Sequence, residues 1–193
     1  MPLKLISINT MTSQILYTIG HSNRPMEQFL ALLRGNSIQI LVDIRANPYS
    51  KRFPHFAQEE LRQAVTGSGI TYHWAGRQLG GMRQPNDPAS HSALADESLR
   101  GFAEYMETTP FERAIAQLIN LAGTGKTAIM CDEKQIDQCH RSLISDYLTL
   151  KNVSVVHIID SHQFVEHQIN RAARTESAKL VYDRHSNAQL DLH

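Results

Sequence analysis

Short apolar runs alternate with amphipathic helical patterns along this chain, and that alternation limits the folds open to it. The most constraining run is Ile38-Gln-Ile-Leu-Val-Asp-Ile44, β-branched and apolar enough to be a strand buried on both faces. Strand patterns also cover 15–19, 70–74, 127–131 and 153–159. Helical patterns lie between them, starting near Pro25 with a Ser22 or Asn23 cap, and over 57–65, 98–107, 110–121 and 142–150. Five strands with interposed helices predict an α/β fold: a mainly parallel sheet with helices on both faces, Rossmann-like in the broad sense. The chain divides into an N-terminal extension (1–14), an α/β domain (15–168) and a polar, helical C-terminal tail (169–193). That helical pattern begins at Gln163, with a possible edge strand over 179–182.

The 193 residues suit one domain with a real core. The 19 Lys and Arg balance 19 Asp and Glu, so no global field draws the chain to nucleic acid or membrane. Two cysteines, 41% hydrophobic residues and no long apolar run predict a soluble protein of a reducing compartment, the cytoplasm by default. The opening residues are too polar for a signal peptide. His185 and His193 are assigned no role.

If the strands are parallel, their carboxyl ends share one rim. The first strand delivers His21 and Ser22, the second Asp43 and Arg45, the third His73 to Arg77, and the fourth Cys131, Asp132 and Glu133. Cys139, His140 and Arg141 open the helix after the fourth strand, where a helix N-terminus favours anions. Convergence from distant segments carries more weight than any single residue.

Several of these residues admit two readings. Asp43 is either catalytic or a buried acid paired with Arg45. Gly80 and Gly81 are either turn residues or an anion-holding pair of N–H groups. Cys131 is either inert packing or a nucleophile activated by His140 and Arg141, and Cys139 either a dipole-favoured thiolate or a small first-turn residue. Metal binding by Cys131, Cys139 and His140 is a third reading; the spacing matches neither paired CxxC nor HExxH, so no metal ligand is assigned and the cofactor is unknown. Gly123-Thr-Gly-Lys-Thr127 is not a P-loop, because it precedes a strand and has Asn120 at the first glycine's place. The 45–56 loop, with Arg45, Tyr49, Lys51, Arg52, Phe53, His55 and Phe56, is read as a binding loop able to clamp phosphate and stack a base.

Tyr17-Thr-Ile-Gly-His-Ser-Asn-Arg24, Leu41-Val-Asp-Ile-Arg45, Pro48-Tyr-Ser50, Pro54-His-Phe56, Leu79-Gly-Gly81, Cys131-Asp-Glu133, Cys139-His-Arg141 and Val156-His-Ile158 together resemble the DUF488 family. The resemblance runs from about residue 16 to 168 and makes 15–168 a DUF488-like domain. It implies an α/β fold and no reaction, the family being one of unknown function. It supports site residues at His21, Ser22, Asp43, Arg45, Tyr49, Ser50, Glu133, Cys139, His140 and Arg141. Asp132 departs from the family's Cys-Ala-Glu, and Asp160-Ser161 before His167 departs from its Asp-Gly turn.

These readings converge on a small hydrolase or group transferase acting on an anionic, phosphate-bearing or nucleotide substrate. Arg45 and Arg141 would hold the anion, with His21, Ser22, Tyr49, Ser50, Gly80, Gly81 and Cys139 beside it. Glu133, His140 or Asp43 would move protons, and Cys131 would be the nucleophile. The alternative is a nucleic-acid-binding module using the 45–56 loop and Arg77 to Arg83. No membrane partner is expected, and no oligomeric state follows.

Overall fold

A computed structural model describes residues 14–49, 51–87, 90–177 and 179–183. The expectations for Ser50, for almost all of the N-terminal extension and for 184–193 lie outside the described residues.

The predicted strands form: β1 (Ile15–Gly20), β2 (Ile40–Asp43), β3 (Thr71–Trp74), β4 (Thr127–Cys131) and β5 (Ser154–Asp160). Helices α1 (Met26–Gly35), α2 (Gln58–Gly67), α3 (Gly76–Leu79), α4 (Glu97–Tyr105), α5 (Thr109–Ala122) and α6 (Arg141–Leu150) lie between them, with a 3-10 turn at Pro54–Phe56. Pro25 caps α1 without a side-chain bond, so the predicted Ser22 or Asn23 cap is not formed. Ser22 instead takes a left-handed turn (φ 52°) that carries the chain off the sheet.

The sheet order is β3-β2-β4-β1-β5-β6, and every pair is parallel except β5 with β6 (Gln163–Glu166). Alternation along each strand feeds two cores. Phe29, Leu33, Leu61 and Val65 of α1 and α2 pack with Ile19, Leu41 and Met130 on one face. On the other, Phe102, Phe111, Ile115 and Leu143 of α4, α5 and α6 pack with Leu16, Val42 and Ile129.

The helical expectation for the tail is corrected, while the expected strand over 179–182 forms. Residues from Gln163 form β6 and then the hairpin β7 (Ala173–Glu176) and β8 (Lys179–Tyr182), with no helix among the described residues. In β8, buried Leu180 and Tyr182 alternate with Lys179 and Val181, a half-buried strand pattern that overall polarity disguised, whereas β6 is exposed along its length. Ala173, Leu180 and Tyr182 join the α4–α6 core, so this segment is packed onto the domain. No helix among the described residues is long and apolar enough to cross a membrane.

From β1 the chain crosses through α1 toward β2; from neighbouring β4 it crosses through α6 toward β5, the opposite way. The crevice between the carboxyl ends of β1 and β4 is therefore the sheet's topological switch point, where such folds bind ligands.

Candidate active site at the carboxyl rim

The β1 and β4 loops are stitched together first by backbone. His21 N–H donates to Cys131 O (3.0 Å) and Ser22 N–H to Asp132 O (2.8 Å), continuing the ladder past both strand ends. Gly20 makes this approach possible, since a Cβ there would collide with the Glu133 carbonyl. That same carbonyl accepts from Arg141 Nη2.

Side chains then form two linked knots. In the first, Asp43 is fully buried and accepts from Arg45 Nε at Oδ1 (2.9 Å) and Arg45 Nη2 at Oδ2 (2.6 Å), a bidentate pair. Tyr72 Oη also donates to Asp43 Oδ2 (2.8 Å), and Arg45 Nη1 donates to Phe56 O (2.8 Å). Burial works against the Arg45 charge, but the Asp43 carboxylate more than offsets it and raises the Arg45 pKa. His21 stacks on Phe56 with ring centroids 4.0 Å apart. Its Nδ1 meets Ser22 O (2.8 Å) and its Nε2 meets Asp132 Oδ1 (2.6 Å), so both ring nitrogens face oxygen acceptors. Burial would raise the Asp132 pKa; the His21 hydrogen bond and the charges of His21 and Arg45 hold it below the ordinary carboxylate value instead.

The second knot is sulfur-rich. Cys131 and Cys139 are both buried and free, and both face His140 Nδ1, at 3.9 and 3.8 Å. Arg141 donates to Cys139 Sγ from Nε (3.3 Å) and from its backbone N–H (3.5 Å). A hydrogen bond shared between the sulfurs separates the thiols: it holds Cys139 well below its ordinary pKa against burial, with help from His140 and Arg141. The same bond, reinforced by burial, pushes Cys131 well above. The His140 ring lies against Gly81, where a Cβ would come within 2.9 Å of Nδ1. Its Nε2 is buried without a hydrogen-bond partner.

A polar chain runs from beneath this knot to the far side of α6. Arg141 Nη1 donates to Thr18 Oγ1 (3.4 Å), which lies 2.8 Å from His157 Nδ1. His157 Nε2 is 3.0 Å from His167 Nδ1, and His167 Nε2 is 2.8 Å from Asp146 Oδ1. Tyr182 Oη donates to Asp146 Oδ2 (2.9 Å). If both rings are neutral and the Asp146 carboxylate accepts from His167, each ring donates from Nε2 and accepts at Nδ1, which aligns the bonds in one direction. Burial, with the charges of His167 and Arg141, lowers the His157 pKa to about 3.

Two cavities open on the rim. The larger, about 480 Å³, is lined by His21, Ser22, Asn23, Tyr49, Arg52, Phe53, Asp132 and Glu133. The second, about 260 Å³, reaches Arg45, Gly81, Met82, Cys131, Cys139 and His140. Asp132 and Glu133 line both and so form a wall that the two adjoining cavities share; together the cavities make up the rim cleft.

The structure therefore brings His21, Ser22, Tyr49, Arg45, Gly81, Cys131, Glu133, Cys139 and His140 to one cleft. Asp43 and Arg141 lie beneath it, fully committed to neighbours. Gly80 spends its N–H on Gly76 O (3.0 Å). His73 lines a separate cavity near α5 and does not join. Sequence reasoning placed Asp132 at the rim and Arg52 in the binding loop but gave neither a named role in the site. Asp132 stood out further as a departure from the family's alanine, and Arg52 was one cation among several in its loop.

A doubly wound α/β domain with a ligand-sized polar cleft at its switch point is the class that this fold and site define. The chain belongs to the DUF488 family, described as a domain of unknown function, whose match covers residues 25–148. That region holds Asp43, Arg45, Gly81 and the whole Cys131–Arg141 loop, but not His21 or Ser22. No curated protein and no solved structure matches the chain.

Proposed function

We propose that the chain is a small hydrolase or group transferase acting on an anionic, phosphate-bearing or nucleotide substrate held in the rim cleft. The observation that carries this reading is the shared wall: Asp132 and Glu133 stand between a mouth bearing Tyr49 and Arg52 and a floor of Cys131, Cys139 and His140. Arg52 and Tyr49 receive the anion. Arg45 and Arg141 are spent on Asp43, Phe56, Glu133, Cys139 and Thr18, and so they shape the cleft from below. Asp132, paired with His21, and Glu133 are positioned to take a proton from the attacking group and return it to the leaving group. Two unpaired cysteines in neighbouring positions suit the reducing cytoplasm.

The test is thermal unfolding against phosphate, mononucleotides and short oligonucleotides, with wild type and Arg52→Ala side by side. A ligand at a hundred times its dissociation constant adds about 2.7 kcal/mol, a readily measured shift. Stabilisation by phosphate or a mononucleotide that is lost in Arg52→Ala supports the reading and selects substrates for assay. A nucleic-acid-binding module is the second reading, favoured by Tyr49, 64% exposed, beside exposed Lys51 and Arg52. Stabilisation by oligonucleotides alone, falling steeply with salt, would establish it in place of the first.

A further inference from the structure

His140 is 7% exposed, yet its ring makes no ordinary hydrogen bond. Its Nε2 has no partner, and its Nδ1 stands 3.8 and 3.9 Å from two sulfurs, well beyond the 3.3 Å at which Arg141 Nε donates to Cys139 Sγ. An ion at Nδ1 would give that nitrogen the strong partner it lacks, while Nε2, on the other side of the ring, takes no part in the site. The three donor atoms, Cys131 Sγ, Cys139 Sγ and His140 Nδ1, all lie within 4.8 Å of one another. Sulfur and nitrogen ligands sharing one tetrahedral ion, at about 2.3 and 2.0 Å from it, are separated by roughly 3.5 Å. The two measured sulfur–nitrogen distances exceed that by only a few tenths of an ångström.

We propose that Cys131, Cys139 and His140 bind one thiophilic divalent cation of the zinc class. The donor set is two sulfurs and one imidazole, the combination that selects zinc over the oxygen-seeking magnesium and calcium. In the bound state two thiolates and a neutral ring balance the ion's two charges, any thiol proton passing to solvent. The two N–H···S bonds from Arg141 to Cys139 persist as outer contacts that orient the ligand sulfur and spread its charge. Gly81 leaves room for the imidazole where any side chain would push Nδ1 away.

Sequence spacing argues against such a site, because adjacent cysteine and histidine seldom serve one ion. The geometry answers the objection, since Cys139 Sγ and His140 Nδ1 stand 3.8 Å apart on one side with Cys131 Sγ. Cys131 comes from the end of β4, while Cys139 and His140 sit in the turn that starts α6, and the loop between them closes the triangle. Three protein ligands leave a fourth position, the pattern of reactive rather than structural zinc sites. All three ligands line the cavity that also carries Asp132 and Glu133. The cation's binding stands on geometry alone; its task as activator of a water beside those carboxylates rests on the hydrolase reading above.

The test is titration of the reduced full-length protein with cobalt(II), then displacement with zinc(II). The expected result is one ion per chain with an intense sulfur-to-cobalt charge-transfer band, abolished in Cys139→Ser and in Cys131→Ser. Should either variant fail to fold, wild type alone decides by mass-spectrometric mapping of alkylation: zinc(II) should slow modification of both cysteines at least tenfold. Absence of the band at excess cobalt together with unprotected thiols overturns the proposal, as does equal binding in the folded serine variants. The two readings fail separately: hydrolysis without metal binding sinks only the cation, and metal binding with no stabilising anion sinks only the substrate class.

Discussion

Asp132 Oδ1 lies 2.6 Å from Nε2 of His21, joining two residues 111 positions apart across the crevice between β4 and β1. The His21 side chain is almost fully buried, whereas the Asp132 side chain is 55% exposed, so the pair presents its carboxylate to the cleft and its ring to Phe56. Asp132→Ala takes the acceptor from a buried ring nitrogen and should cost about 1–3 kcal/mol, less than the loss of a fully buried pair. The same variant should lose most of the response to any ligand of the cleft. Urea unfolding and ligand-shift measurements on one preparation check both halves; a large stability loss with intact ligand response would reverse the assignment.

Asp43→Ala should cost stability more heavily. It strands the Arg45 guanidinium, 2% exposed, without its bidentate partner, and breaking a buried pair costs about 3–5 kcal/mol. Denaturant unfolding should show that loss before any ligand is added. Arg45→Lys should also be poorly tolerated, because an ammonium cannot reproduce the forked bonds to Asp43 and the bond to the Phe56 carbonyl.

Arg141→Ala and Arg52→Ala separate a supporting cation from a contacting one. Arg141 is buried and ties Glu133, Cys139 and Thr18 together, so its removal should cost about 2 kcal/mol or more. Arg52 is exposed on the cleft mouth and stacks its guanidinium 5.2 Å from the Phe53 ring centre. Its loss should leave the unfolding midpoint nearly unchanged and weaken anion binding. Thermal melts with and without phosphate distinguish the two.

Gly20→Ala should destabilise by about 1–3 kcal/mol, because the added methyl meets backbone, the Glu133 carbonyl, rather than a movable side chain. Gly81→Ala presses on the His140 ring, whose Nδ1 would be 2.9 Å from the new atom. It should alter the cobalt signature more than the unfolding midpoint. Absorbance and melting curves on the two variants give the contrast.

The buried chain of Thr18, His157, His167 and Asp146 makes a prediction about acid. An ordinary histidine titrates near 6.5, while burial and the charges of His167 and Arg141 hold His157 at about 3. Between those values the unfolded chain binds a proton that the folded chain refuses. The His157 contribution is thus complete above pH 6.5 and is lost as pH falls toward 3, at up to about 1.4 kcal/mol per pH unit. His157→Gln should flatten the acid side of the stability profile measured by urea unfolding. Parallel wild-type and variant profiles would remove His157 from the account.

Much of this architecture can be read from residues alone. Strands such as 38–44 and 127–131 are legible because a parallel sheet buries both faces and writes itself as unbroken apolar runs. Where those runs stop, polar residues must sit at the rim, which is why His21, Cys131 and His140 could be placed together. What the residues do there was less legible. Arg45 and Arg141 look like anion holders in a sequence, since a guanidinium's charge is visible and its burial is not. The turn of Asp160-Ser161-His162 back along β5 is invisible to helical periodicity, and so the tail was taken for helix. The run from Thr18 to Tyr182 draws on β1, β5, α6, β8 and the loop that follows β6, five segments that no local pattern connects.

The place of β1 in the sheet has a practical meaning for anyone preparing the protein. The region of family likeness, 25–148, holds β2, β3 and β4 but omits β1 and β5, and β1 is the strand that joins them. A fragment cut to those limits would leave β4 as a bare edge with its amide groups unpaired, an invitation to aggregate. It would also lack Thr18 and His21. Similarity marks where this family's sequences are alike, and it is not a folding unit; a piece able to stand alone must run from β1 through the β7–β8 hairpin.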